Sequence, residues 1–399
     1  MYWLQLLWIG LLLPSTQAAL RLGCGQLVTQ RFDPLVTPGR VSPHVHQIVG
    51  GNAFNLTMHP DLDVPGVATC TTCRIKEDKS NYWTAVLYFK HANGSFARVP
   101  QIPNHFTGEY NGGMTVYYNQ PPSGSPRVTA FAKGFRMITG KPMDRVSRNL
   151  PDTLGERWAL SFRCWQTTGP YDYSNSHAIG PGPFDSVNLP NRVCPGGIRS
   201  NTFFPTCWDG VNLDSPDHAS HVSFFESPAN PRVGLFLQDG TCPESHPVKL
   251  PQLFFETVWD TRPFNHMWPE DGKQPFVLST GDPTGYGHHG DYLFGWEGDS
   301  LQRAMDNCLT TRGRPTDCPE ITTISDEEMN SCTLKPQVDE QVEGGYIPAL
   351  PGCNPIQEGP QSATLIKDCT AVSTIGIAAT PVPHQRAEAN EAVITPGSK

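Results

Sequence analysis

Apolar residues along this chain fall in short runs, each cut off by proline, glycine or asparagine, and that rhythm predicts β-strands. The run 82–89, YWTAVLYF, is rich in β-branched and aromatic residues and ends at the turn signal His91-Ala-Asn-Gly94. Further strands are predicted over 114–119, 128–138 and 160–165, then over 222–226, 233–238 and 253–259, with a last one at 276–280. Residues 169–205 are dominated by Gly, Pro, Asn and Ser and read as a long irregular insertion or lid. A single helix stands out, where Leu301, Ala304, Met305 and Cys308 fall at i, i+3, i+4 and i+7 behind Asp299 or Ser300 as N-cap.

The chain opens on a different pattern. Leu4 to Leu13 is apolar and Thr16-Gln17-Ala18 follows as a small-residue cleavage site, so residues 1–19 read as a secretory signal, although no basic residue precedes Arg21. A membrane span needs about 20 apolar residues, and no run reaches that. The mature protein is therefore expected outside the cell, secreted or wall-associated, as a monomer. Residues 20–309 read as one β-rich domain, 310–369 as a Cys-rich extension and 370–399 as a flexible tail without apolar periodicity.

Composition sharpens the class. Thirty-nine prolines and thirty-seven glycines are too many for a helical protein. They predict a mostly-β fold, a jelly-roll-like sandwich with long loops, few short helices and a disulfide-rich C-terminal appendage. Twelve cysteines, none in the signal, predict six bridges of undetermined connectivity, with Cys70-Thr-Thr-Cys73 structural rather than redox-active. A net charge of −9 argues against nucleic acid and anionic membranes as partners. Asn55-Leu-Thr57 and Asn93-Gly-Ser95 are glycosylation sequons.

Three motifs carry chemistry. In 31–54, RFDPLVTPGRVSPHVHQIVGGNAF, proline and glycine frame a short apolar segment holding His44 and His46 at i and i+2. An extended backbone would put both imidazoles on one sheet face, roughly 7 Å apart. The second motif, 207–221, gathers Asp209, Asp214, Asp217, His218 and His221; the third, 285–291, ends in His289-Gly-Asp291. Asp209 and Asp214 read as turn-capping residues. His44, His46 and His218 are the metal-ligand candidates for zinc, copper or manganese. In the catalytic reading, His221 or His289 is the base, oriented by Asp217 or Asp291. Tyr82, Trp83 and Trp208 are candidate stacking surfaces for sugar rings. No GxSxG elbow, P-loop or dinucleotide fingerprint occurs, so esterase, NTPase and dehydrogenase readings lack support.

In order, DPLVTPGRVSPHVHQIVGGNAF, SNYWTAVLYF, CWDGVNLDSPDHASHVSF, CPESHPVKLPQL and HHGDYLFGW resemble the domain-of-unknown-function family numbered nineteen ninety-six, over about residues 32–308. That family is found in secreted fungal and actinobacterial proteins, and its members are sometimes joined to wall-associated or carbohydrate-binding modules. The resemblance implies work on an extracellular polysaccharide or cell wall. Relatives often carry a proline where this chain has Thr84-Ala85. The expected function is a carbohydrate-active enzyme cleaving a wall glycan. The alternatives are a non-catalytic metal-binding or stress-related wall protein, and a structural wall protein.

Overall fold

Strand-forming runs become four antiparallel sheets in the computed structural model, which describes residues 18–102, 112–121, 127–150, 155–167, 182–226, 240–309 and 314–366. A five-stranded sheet runs Val28–Gln30, His46–Gly50, Asn81–Ala85, His289–Leu293, Arg136–Gly140. A six-stranded sheet runs Ala18–Cys24, Met114–Gln120, Gln252–Trp259, Gly197–Phe203, Leu160–Trp165, Asp185–Ser186. Two smaller sheets, of four and three strands, complete a mostly-β fold with few short helices.

Side chains alternate across a strand, so one face of the five-stranded sheet presents Val49, Tyr82, Met137 and Tyr292. These meet Leu22, Val116, Tyr118, Leu253 and Phe255 of the six-stranded sheet in one core, which makes the two sheets a sandwich. The opposite face carries Val28, Ile48, Trp83, Ile138 and Leu293 beneath Phe32, Leu35, Phe54 and Met58. With both faces covered, every residue of His46–Gly50, Asn81–Ala85 and His289–Leu293 is buried. Gly50 marks a close approach: at φ 108°, a Cβ there would lie 1.9 Å from the Ser80 carbonyl.

Four sequence expectations change. The run 82–89 is two strands, Asn81–Ala85 and Leu87–Lys90, in different sheets. Val86 is the joint, its N–H donating to Val45 O and its carbonyl accepting from Ser279 N. The predicted strand 128–138 is ladder-forming only from Arg136, because Thr129 N–H pairs with Lys249 O and Ala130 N–H with Gln302 Oε1. Within 169–205 lie Asp185–Ser186 and the central strand Gly197–Phe203, whose polar residues find partners: Asn201 donates to Ser161 Oγ, and Arg199 pairs with Glu256. The strand at Phe276–Leu278 is not the last, since His289–Leu293 follows it. The expected strand at 233–238, most of the signal and the tail from 370 lie outside the described residues.

The expected helix spans Ser300–Asn307, buries Leu301, Ala304 and Met305, and is tied by Cys308–Cys318. The other bridges are Cys24–Cys73, Cys70–Cys332, Cys164–Cys194 and Cys207–Cys242; Cys353 is also disulfide-bonded, and no described cysteine is free. Beyond residue 314 the chain wraps the sheets: Tyr346–Ile347 adds an edge strand beside Phe96–Arg98, and Leu334 and Val338 pack under Ile48 and Trp83. No helix among the described residues is long and apolar enough to cross a membrane.

Candidate metal centre

His46 begins one strand and His289 another, and the strand Asn81–Ala85 lies between them. Strands two apart are separated by about 9.6 Å, a gap that two imidazoles reaching towards each other span. The residue opposite His46 in the intervening strand is Ala85, whose methyl leaves that space free. Gly140 stands opposite His289 on the other side, and Thr84 Oγ1 donates to His289 O, fixing the strand end. His44 lies just ahead of its strand, and its ring sits 4.2 Å, centroid to centroid, from that of His46. The pair is closer than an ideal strand would place it because only His46 belongs to the ladder.

The three rings converge. His44 Nε2 lies 3.2 Å from His289 Nε2, which lies 3.5 Å from His46 Nε2. For metal–nitrogen bonds of about 2.0–2.1 Å in a tetrahedral site, the nitrogen–nitrogen edge is about 3.3–3.4 Å. Two of the three nitrogen pairs are thus spaced as edges of one coordination polyhedron, and all three ligand atoms lie within 4.8 Å of one another. All three side chains are buried, at 5 %, 0 % and 2 % exposure for His44, His46 and His289.

Backbone carbonyls fix the tautomers of two of the rings. Burial lowers the pKa of His46 to about 3 and of His289 to about 4, and pushes His44 well down, so at neutral pH each ring is neutral with one N–H. A carbonyl only accepts, so His46 donates Nδ1–H to Phe32 O at 2.9 Å, and His289 donates Nδ1–H to Gly287 O at 3.1 Å. Both Nε2 atoms therefore turn lone pairs to each other across 3.5 Å. The single N–H of His44 can serve only one of them. Backbone carbonyls that fix the tautomer of two facing histidines are the supporting hydrogen bonds of a metal site.

Two buried carboxylates lie nearby. Asp291 shares the face of His289, with Oδ2 3.8 Å from Nε2, and that oxygen is buried without a hydrogen-bond partner. Burial first, then the neighbouring Asp33, holds the Asp291 pKa well above the usual range. Asp33 is itself raised by burial while Oδ1 accepts Leu35 N–H and Val36 N–H. A divalent cation would neutralise two such carboxylates, and imidazole with carboxylate suits zinc, copper, iron or manganese.

The cluster thus unites His44, His46 and His289 from two of the three sequence motifs, with Asp291 at its edge beside His289. His218 and His221 are placed otherwise. His218, at φ 53°, donates Nδ1–H to Asp214 and Nε2–H to Leu35 O; with both nitrogens donating it is held protonated, its pKa raised chiefly by Asp214. A ring with no lone pair is no ligand. His221 directs Nε2 at Arg136 O and Nδ1 at Ser215 Oγ. Asp217 is exposed and caps its own turn, accepting from Ser220 N–H and Ala219 N–H, which keeps its pKa below the ordinary value.

Tyr82 and Trp83 are fully buried, so neither offers a face to a sugar; Tyr82 instead donates to Asp78 Oδ2 at 2.6 Å. Trp208 is partly buried against the sandwich core and bonds Asn212 O. Asn55 and Asn93 are exposed. Sequence reasoning missed Asp33, because an aspartate before proline reads as a turn former. Its place in the same segment as His44 and His46 was the available signal.

No curated protein and no solved structure matches this chain. A family model does match, over residues 33–296, a span holding Asp33, all three histidines and Asp291. The chain belongs to the family described as Domain of unknown function (DUF1996).

Proposed function

We propose that this chain is a secreted, disulfide-stabilised metal-binding protein that holds one divalent transition-metal ion on His44, His46 and His289, with Asp291 as the fourth ligand. The observation that carries the reading is the pair of Nε2 lone pairs, fixed by Phe32 O and Gly287 O, facing each other across 3.5 Å with only the His44 ring beside them to donate. A site this closed favours a retained ion over a substrate-exchanging one, and it weighs against direct attack on a polysaccharide, which could not reach rings exposed by 5 % or less. Five disulfides fit an extracellular setting. Exposed Asn55 and Asn93 fit glycan attachment there.

Titrating zinc, cobalt, copper or manganese ions into metal-stripped protein at pH 7 and pH 5 tests this. One equivalent should bind at both, because protons reach the folded rings of His46 and His289 only near pH 3–4. The stripped protein should meanwhile lose stability between pH 6.5 and 4. In that window the unfolded histidines take up protons and the folded ones do not, so the unfolded state is favoured as pH falls. Absence of saturable binding by every one of these ions would overturn the reading.

A further inference from the structure

The three histidines are not held alike. His46 and His289 lie in central ladders and each anchors Nδ1 to a carbonyl. His44 precedes its strand and is the most exposed of the three, so it is the ligand an ion would leave past. Its turn is held from outside. Arg31 donates to Ser42 O at 2.8 Å and pairs with Glu340, whose Oε1 accepts Gly352 N–H at 3.2 Å. Asn354 Nδ2 donates to Pro43 O at 2.7 Å, while Leu350 and Ile356 pack with Val45. Gly352 sits at φ 77°, and a Cβ there would come 1.9 Å from Pro43 O, one residue ahead of His44.

Apart from the Arg31–Ser42 bond, these contacts come from chain beyond residue 296, where the family match ends. We propose that the C-terminal extension is a clamp: Glu340, Gly352 and Asn354 press the Ser42–Pro43 turn so that His44 stays on the ion, and they thereby set how slowly it is released. The clamp rests on the metal-binding reading above. Glu340, Gly352 and Asn354 are positioning residues that act through His44. Supporting contacts of this kind are worth about 10–100-fold in metal affinity.

The test uses full-length protein loaded with cobalt(II), whose visible spectrum reports ligand geometry, and then challenged with excess EDTA. Gly352→Ala and Asn354→Ala should release cobalt about tenfold or more faster than wild type and alter its absorption bands. Tyr346→Phe, in the same extension, removes only a contact to Met267 Sδ and should behave as wild type. A merely structural role would lower thermal stability without touching the cobalt spectrum. Should Gly352→Ala fail to fold, Asn354→Ala and Glu340→Gln decide. Variants that fold, load and release at the wild-type rate with the wild-type spectrum would refute the clamp and leave the metal site standing. A wild type that takes up no cobalt would remove both.

Discussion

Replacing His46 or His289 with alanine is expected to abolish saturable metal binding and, with it, the stabilisation that a bound ion confers. An ion at one hundred times its dissociation constant raises stability by about 2.7 kcal/mol. Calorimetry with and without metal should show that increment in wild type and none in either variant. Both substitutions also remove a buried ring, so the stripped variants should themselves be less stable by about 1–3 kcal/mol. Asp291→Asn separates the two effects. It keeps shape while removing a buried carboxylate whose Oδ2 has no partner, so the stripped protein should become more stable. Metal affinity should nevertheless fall about 10–100-fold. Opposite signs on one residue mark a group kept for binding rather than for folding. Equal metal stabilisation in wild type and His46→Ala would place the ion elsewhere.

Opening the Cys70–Cys332 bridge should produce the largest loss of stability from any single disulfide here. The bridge closes a loop of 262 residues, the longest separation of the five bridges whose two cysteines are both described. On the chain-entropy account a loop of that length constrains the unfolded state by about 5.5 kcal/mol, against typical measured values of about 2–4 kcal/mol. The bridge also pins Cys332, with Leu334 and Val338, into the apolar cluster shared by Ile48 and Trp83. A Cys70→Ser, Cys332→Ser double variant should therefore melt on the order of 10 °C below wild type in calorimetric scans. The Cys308–Cys318 pair closes only 10 residues and should matter less when removed. If the two double variants melt together, loop length is not what these bridges act through.

The sequence showed the strands wherever chemistry and pattern agreed. Residues 160–165 and the helix at Leu301 carried both an apolar period and clean boundaries, and both formed where expected. Gly197–Phe203 was hidden because its polar residues are satisfied by partners distant in sequence, such as Arg199 by Glu256. Composition reads such a stretch as loop. The break at Val86 was invisible for a related reason: what ends the first strand is the long-range pull of Val45 and Ser279, not any local breaker. For the site, His289-x-Asp291 was legible because i, i+2 spacing on a strand places both groups on one face, whereas His44 meets His46 from just ahead of its strand. The motif at 214–221 had equal chemical density but no such geometry. The left-handed backbone at His218 turns it to the Leu35 carbonyl, and no period in the sequence announces that. Asp33 was obscured by a local role that it also fills, accepting two backbone N–H groups of its own turn.

X-ray absorption at the K edge of the metal carried by the purified, metal-loaded protein addresses the central claim most directly. Three imidazole nitrogens at about 2.0–2.1 Å and one carboxylate oxygen should make up the first shell, with one ion per chain. A protein that carries no ion after loading, or one whose ion is surrounded by water oxygens and at most a single imidazole, would contradict it.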